Sequence, residues 1–343
     1  MSYDPNSPDE RPQQNPPFRW RRQEEPTEPE EDAGGDPQMD PRGGPTAGLA
    51  GGLLGSLLKN PKLLMALVFA VGAVITYFSS TYQEHNPVTD ETHRVPWKPE
   101  QDVPLGLQAA PEMIAQHGGE HPDPQLRDFV SQVGNKLLRA NAVGDWAPVF
   151  NQYQWKFHLL RDPETINAFA LPGGQVFFTY GLFKRLETED EIAGVLGHEI
   201  GHVIGRHSAQ QMAKAKLIGG IAQSGAVLTS DGQDHGRMAQ VIGAMVNMRY
   251  GRNDETQSDT LGVQFMINAK YDPQGLIKVM EVLKEASGGQ RQPEFMSTHP
   301  DPGNRIEHIK QVIEAVKAGQ LEGPQQSVNR VGPASDNSRP SGR

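Results

Sequence analysis

His198-Glu199-Ile200-Gly201-His202 is the stretch on which the reading of this chain turns. It has the H-E-x-x-H spacing of zinc hydrolases. On a helix, residues four apart share a face, so both imidazoles reach one Zn²⁺ at about 2.0–2.1 Å. Glu199 is then set to act as general base toward the attacking water. The surrounding residues predict that helix. Thr188-Glu189-Asp190-Glu191 reads as a capping box with Thr188 at the N-cap. Ile192, Val195, Leu196, Ile200, Val203 and Ile204 then recur at helical spacing. Gly194, Gly197, Gly201 and Gly205 each cost about 1 kcal/mol against Ala in a helix interior, which implies that another element approaches this backbone closely. The bland alternative is a helix carrying two surface histidines and a carboxylate.

A catalytic zinc site takes three protein ligands and keeps a fourth position open. The best downstream candidate is Glu255, in Asn253-Asp254-Glu255-Thr256-Gln257-Ser258-Asp259. Glu255 and Asp259 are four apart on one helix face. One carboxylate can ligate the metal while the other accepts a hydrogen bond from a ligand histidine. An acidic helix start that merely complements the helix dipole is the competing reading. His207 invites a different assignment, because metzincins carry a third histidine six residues beyond the second. Gly205 fits that pattern, but His207 falls one residue short and position 208 is Ser208. On a continuous helix His207 sits roughly 140° around from His202. It faces away from the metal unless the helix breaks at Gly205, and it reads as a partner-bonded or surface histidine.

Four blocks together carry a resemblance. They are Asn167-Ala168-Phe169-Ala170-Leu171-Pro172-Gly173-Gly174, the H-E-x-x-H helix, Glu255-x-x-x-Asp259, and Thr298-His299-Pro300 followed by Arg305-Ile306. In this order, over roughly positions 120 to 318, the chain resembles a membrane-associated zinc peptidase family of gluzincin-like pattern. That family includes bacterial HtpX and BepA, the type I CAAX prenyl endopeptidases and the mitochondrial inner-membrane stress peptidase. The resemblance implies that His198, His202 and Glu255 hold one Zn²⁺ per chain, that Glu199 is the catalytic base and that Asp259 supports a ligand from behind. It also makes His299 and Arg305 the candidates for stabilising the oxyanion. The single-span or periplasmic branch is the more similar one.

Composition places appendages around one enzyme domain. Residues 1–60 hold 10 of the 28 prolines and almost no aliphatic pattern, a composition that cannot bury enough surface to offset ordering entropy. Residues 321–343 read the same way. Leu63 to Gln83 are 21 residues without a charge, about 30 Å as a helix, enough to cross a hydrocarbon core. The expected organisation is therefore a tail at 1–60, one transmembrane helix at 63–83, a juxtamembrane linker at 84–122, a peptidase domain at 123–320 and a second tail at 321–343. Lys59 and Lys62 precede the apolar run while Glu84, Asp90 and Glu91 follow it, with Arg94 and Lys98 weakening the asymmetry. This favours a single-pass inner-membrane protein with a cytoplasmic N-terminus and an extracytoplasmic, periplasmic enzyme. The chain has no cysteine, which excludes disulfides, thiol catalysis and cysteine ligands. A net charge of -10 without a basic stripe argues against nucleic acid. Arg19-Trp20-Arg21-Arg22 is the one basic-aromatic cluster, read as a solvated tail segment.

Within the domain, residues 124–142 predict a helix opened by Pro124, and Tyr153, Trp155, Phe157 and Leu159 alternate as a strand. Thr165–Leu171 and Gln175–Tyr180 read as two strands joined through Pro172-Gly173-Gly174, offering an edge on which an extended peptide can pair. Residues 209–228 and 236–250 read as helices around a Ser230-Asp231-Gly232 loop, and Asp272-Pro273 and Asp301-Pro302 each open another. The fold class is α+β: a mostly helical, zincin-like domain with a small β-sheet, preceded by one membrane helix. Two functions fit. One is a membrane-anchored zinc endopeptidase acting on misfolded or damaged envelope proteins; the other is a catalytically silent or latent, chaperone-like binding protein on the same fold.

Overall fold

The computed structural model describes residues 61–223, 248–288, 293–300 and 304–320. Helix α1 (Pro61–Ser79) leads into a hairpin, β1 (Tyr82–Asn86) with β2 (Glu91–Val95). Helices α2 (Asp102–Gln116), α3 (Pro124–Asn141) and α4 (Ala147–Asn151) precede strands β3 (Lys156–Leu160), β4 (Ala168–Leu171) and β5 (Gln175–Thr179). A single turn, α5 (Tyr180–Phe183), is followed by α6 (Glu189–Ile204), α7 (His207–Gln223), α8 (Arg252–Asn268), α9 (Gln274–Ser287), α10 (Glu294–Thr298) and α11 (Arg305–Lys317). The α+β class expected from the sequence is what these residues form.

Helix α6 lies at the centre, with every residue from Glu191 to Ile204 buried. Thr188 caps it as expected, its hydroxyl accepting from the Glu191 amide at 3.2 Å. The Glu191 carboxylate closes the turn by accepting from the Glu187 amide at 2.8 Å, one residue before the N-cap. The glycines admit neighbours. A Cβ on Gly197 would stand 3.3 Å from the Gly262 Cα, and one on Gly201 3.1 Å from the Ser258 Cα, so α8 packs backbone to backbone against the face bearing the motif. Gly194 does the same for α9 at Leu276.

The three-stranded sheet has the order β3-β5-β4, with β3 parallel and β4 antiparallel to β5. Its faces alternate as the pleat requires. Phe157, Leu159, Val176 and Phe178 join the main core with α3 and α6, while Leu160, Leu171 and Phe177 meet Ala109, Ala110 and Met113 of α2.

Several expectations are corrected. Residues 84–122 are not a linker: they carry the hairpin and α2, which covers the outer face of the sheet. The uncharged run does not continue as one helix to Gln83. α1 ends at Ser79, the Thr81 hydroxyl donates to Tyr77 O at 2.7 Å, and Tyr82 already pairs with Val95. Among the described residues no helix is long and apolar enough to cross a membrane. The strand read from Tyr153 begins only at Lys156, because Gln154 and Lys156 donate to Gly173 and Gly174 carbonyls around the turn. The two strands after it are shorter than read, at Ala168–Leu171 and Gln175–Thr179. The two tails, the Ser230 loop, Asp301-Pro302 and most of 236–250 lie outside the described residues; Met248–Tyr250, which end that last segment, are not helical.

Candidate active site

Helices α6 and α8, the end of α10 and the start of α11 build the site. His198, Glu199 and His202 come from successive turns of α6. Glu255 and Asp259 come from the face of α8 that Gly262 brings against the His198 backbone, where a Cβ would stand 3.1 Å from its nitrogen. His299 is the C-cap of α10 and Arg305 the first residue of α11. All seven side chains are at most 2% exposed.

The donor atoms converge. His198 and His202 place their Nε2 atoms 3.1 Å apart. Glu255 Oε2 lies 3.6 Å from His198 Nε2, and its Oε1 lies 3.5 Å from His202 Nε2. Bonds of about 2.0–2.1 Å to a tetrahedral ion put ligand atoms roughly 3.3–3.4 Å apart, so the spacing fits one ion of zinc's size. His299 joins the group: donor atoms of His198, His202, Glu255 and His299 all lie within 4.8 Å of one another. Glu199 stands beside them, with both carboxylate oxygens buried and without a hydrogen bond. A buried carboxylate in that condition costs several times an ordinary hydrogen bond, which suits a group placed for an ion and a substrate rather than for stability.

Behind the donors, His198 Nδ1 meets Asp259 Oδ1 at 2.9 Å, the orienting contact expected from the sequence. Arg305 donates to both Asp259 oxygens at 2.6 and 2.7 Å, and its Nη1 lies 3.0 Å from Glu255 Oε2. Arg305, expected at the oxyanion, therefore grips Glu255 and Asp259 of α8. His299 faces Glu255 Oε1 through Nδ1 at 3.1 Å and Glu199 Oε1 through Nε2 at 3.7 Å. Its ring stacks on Phe295, with centroids 4.3 Å apart.

Charge follows contact. Burial pushes the Glu199 carboxyl up. Burial would do the same to Glu255 and Asp259, but the His299 and Arg305 charges outweigh it for Glu255 and the Arg305 pair does so for Asp259, so both stay below the usual carboxylate range. For His299 the Glu255 and Glu199 carboxylates outweigh burial and raise it. His202 is driven well down by burial and by the neighbouring histidines, so it is a neutral donor.

Helix α6 does break at Gly205, yet His207 stays out of the donor group. It is buried rather than on the surface and bonds to the back of His202, Nδ1 to Nδ1 at 2.9 Å. Tyr250, which the sequence did not single out, stacks on His202 at 3.9 Å between centroids and shares a 3.0 Å contact between its hydroxyl and Ser208 Oγ.

Residues 133–313, more than half of the chain, match peptidase family M48. The chain belongs to that family and is a zinc metalloendopeptidase, a hydrolase of peptide bonds. It is 29% identical over 262 residues to mitochondrial metalloendopeptidase OMA1 of Saccharomyces cerevisiae, covering 73% of this chain and 74% of that protein. It is 28% identical over 248 residues to the Schizosaccharomyces pombe protein of the same name, covering 70% and 68%. The beta-barrel assembly-enhancing protease of Escherichia coli strain K12 is 30% identical over 194 residues, 54% of this chain but only 38% of that relative.

Proposed function

We propose that this chain is a membrane-anchored endopeptidase of protein quality control, cutting misfolded or damaged envelope polypeptides at one zinc ion held by His198, His202 and Glu255. The observation that carries this is Glu199, buried and without hydrogen bonds beside three convergent donors of zinc-like spacing. A bound zinc supplies Lewis acidity, polarising a peptide carbonyl and making water nucleophilic near neutral pH. Glu199 accepts the proton of the attacking water and returns it to the leaving amine, and its raised affinity for protons suits both transfers. His299, drawn toward its protonated form, presents Nε2 on the Glu199 side and donates to the developing oxyanion. Asp259 and Arg305 hold His198 and Glu255 in place. Strand β4, an edge of the sheet close to α6, offers backbone pairing to an extended substrate, which gives affinity with little sequence demand. The presence of every group the chemistry needs favours a working peptidase over a silent binding protein on the same fold.

Anchoring is assigned to α1. Leu64, Met65, Val68, Val71, Ile75 and Phe78 are all exposed on this one helix, an apolar surface that water does not favour. The tail before it is placed in the cytoplasm and the catalytic domain outside, following the basic residues before the apolar run. The test is direct. Full-length protein should bind one zinc, cleave β-casein, lose activity to a chelator and regain it with zinc. It should stay with membranes through alkaline carbonate, and a reporter fused after Glu100 should be active outside the cytoplasm. Cleavage that survives complete metal removal would sink the catalytic reading, and release by carbonate would sink the anchor.

A further inference from the structure

The turn that ends the motif helix is built, at some cost, to deliver one side chain. Arg206 adopts a left-handed φ of 54°, uncommon for a residue with a long side chain. Four contacts hold it there. Its guanidinium meets Asp102 at 2.9 and 3.2 Å, donates to Trp97 O at 3.1 Å and pairs with Glu84. From the other side, Asn86 donates to Ile204 O at 2.6 Å, closing the helix end. Gly205 has no room for a side chain, because a Cβ there would lie 2.5 Å from His207 Nε2. The result is that His207, the first residue of α7, folds back under His202.

His202 turns Nε2 toward the donor group, 3.1 Å from His198 Nε2. For Nε2 to hold a metal, its proton must sit on Nδ1 and be donated. The acceptor at 2.9 Å is His207 Nδ1. That nitrogen accepts only if the His207 proton is on Nε2, and Nε2 faces Gln257 Oε1 at 2.8 Å. Ser258 Oγ flanks the same Nδ1 at 3.3 Å, a longer contact than the one from His202. One assignment of protons satisfies the whole chain.

We propose that His207, locked by Gln257 and by the Arg206 turn, is a positioning residue that fixes His202 in the tautomer and ring orientation needed to bind metal through Nε2. The inference rests on His202 being a ligand. It makes the two ligands unequal: His198 is backed by a carboxylate and His202 by a neutral imidazole.

The experiment uses full-length protein, zinc affinity by chelator competition and the visible absorption of the Co²⁺-substituted form. His207→Leu should weaken zinc roughly 10- to 100-fold, the usual effect of removing a group behind a ligand, and change the Co²⁺ bands. His207→Asn places Oδ1 where Nδ1 stood, keeps the acceptor and should retain most of the affinity and the wild-type bands. Gln257→Leu frees the His207 tautomer without touching His202 and should fall between them, so the test holds even if His207→Leu does not fold. Wild-type affinity and spectrum in both His207→Leu and Gln257→Leu would overturn the proposal, as would an Asn variant as weak as the Leu variant. A wild-type protein that binds no stoichiometric zinc, or a His202→Ala variant that binds as tightly, would instead overturn the metal-site reading itself.

Discussion

The two histidines of the motif are supported from behind by opposite kinds of chemistry. Behind His198 lies a buried ion pair, Asp259 gripped by Arg305, which also reaches Glu255. Behind His202 lies a neutral chain, His207 and Gln257, with Ser258 beside it. A carboxylate raises the basicity of the imidazole it receives from, whereas a neutral acceptor orients without adding charge. The site already holds Glu199, Glu255 and Asp259, all fully buried. A fourth carboxylate behind His202 would have to be desolvated, and Arg206, the buried arginine of that turn, is already paired with Asp102 and Glu84. The asymmetry lets both rings be aimed with a carboxylate directly behind only one of them.

This difference sets the size of the expected effects. Asp259→Ala should be the most damaging, because it strips His198 of its acceptor and leaves Arg305 short of its main counter-charge. Loss of one member of a buried pair costs about 3–5 kcal/mol, read by urea unfolding, and zinc should be lost with it. The double variant Asp259→Leu with Arg305→Leu should recover part of that stability without recovering zinc. Equal stability of the single and double variants would break the ion-pair account.

On the open side of both ligands, His299→Ala should cost roughly 10²–10³ in turnover with zinc content intact, the scale for losing an oxyanion donor. A rise in basal cleavage would mean instead that the imidazole blocks the metal, and an unchanged rate would remove it from the chemistry. The smallest effect belongs to the neutral side. Ser258→Ala removes one weak contact to His207 and should change zinc affinity by about 0.5–1 kcal/mol at most. A loss as large as that of Asp259→Ala would erase the distinction between the two sides.

The charged side was legible in the sequence and the neutral side was not. Glu255 and Asp259 are four apart on one helix, so a periodic rule places both on one face, and the capping residues fix where α6 begins. His207 lies beyond a chain reversal. Its position follows from Arg206 in a left-handed conformation held by Asp102, Trp97 and Glu84, residues more than 100 positions away, and helical spacing across that break is meaningless. The same limit explains the missed hairpin and α2. Tyr82–Asn86 and Glu91–Val95 are polar strands without apolar alternation, and α2 carries Pro111 inside it, so local pattern argues for a linker. Their order comes from packing on the sheet and on the end of α6. Arg305 was found as a residue of the site, but its partners became visible only once α8 and α11 met.

The central claim is that Glu199 is the base of a metal site held by His198, His202 and Glu255, and one pair of measurements on one variant tests it. Glu199→Gln keeps the shape of the side chain and removes its ability to take a proton. Zinc per chain should remain at one, while β-casein turnover falls by at least about 10²-fold. Full zinc occupancy together with wild-type turnover would contradict the account.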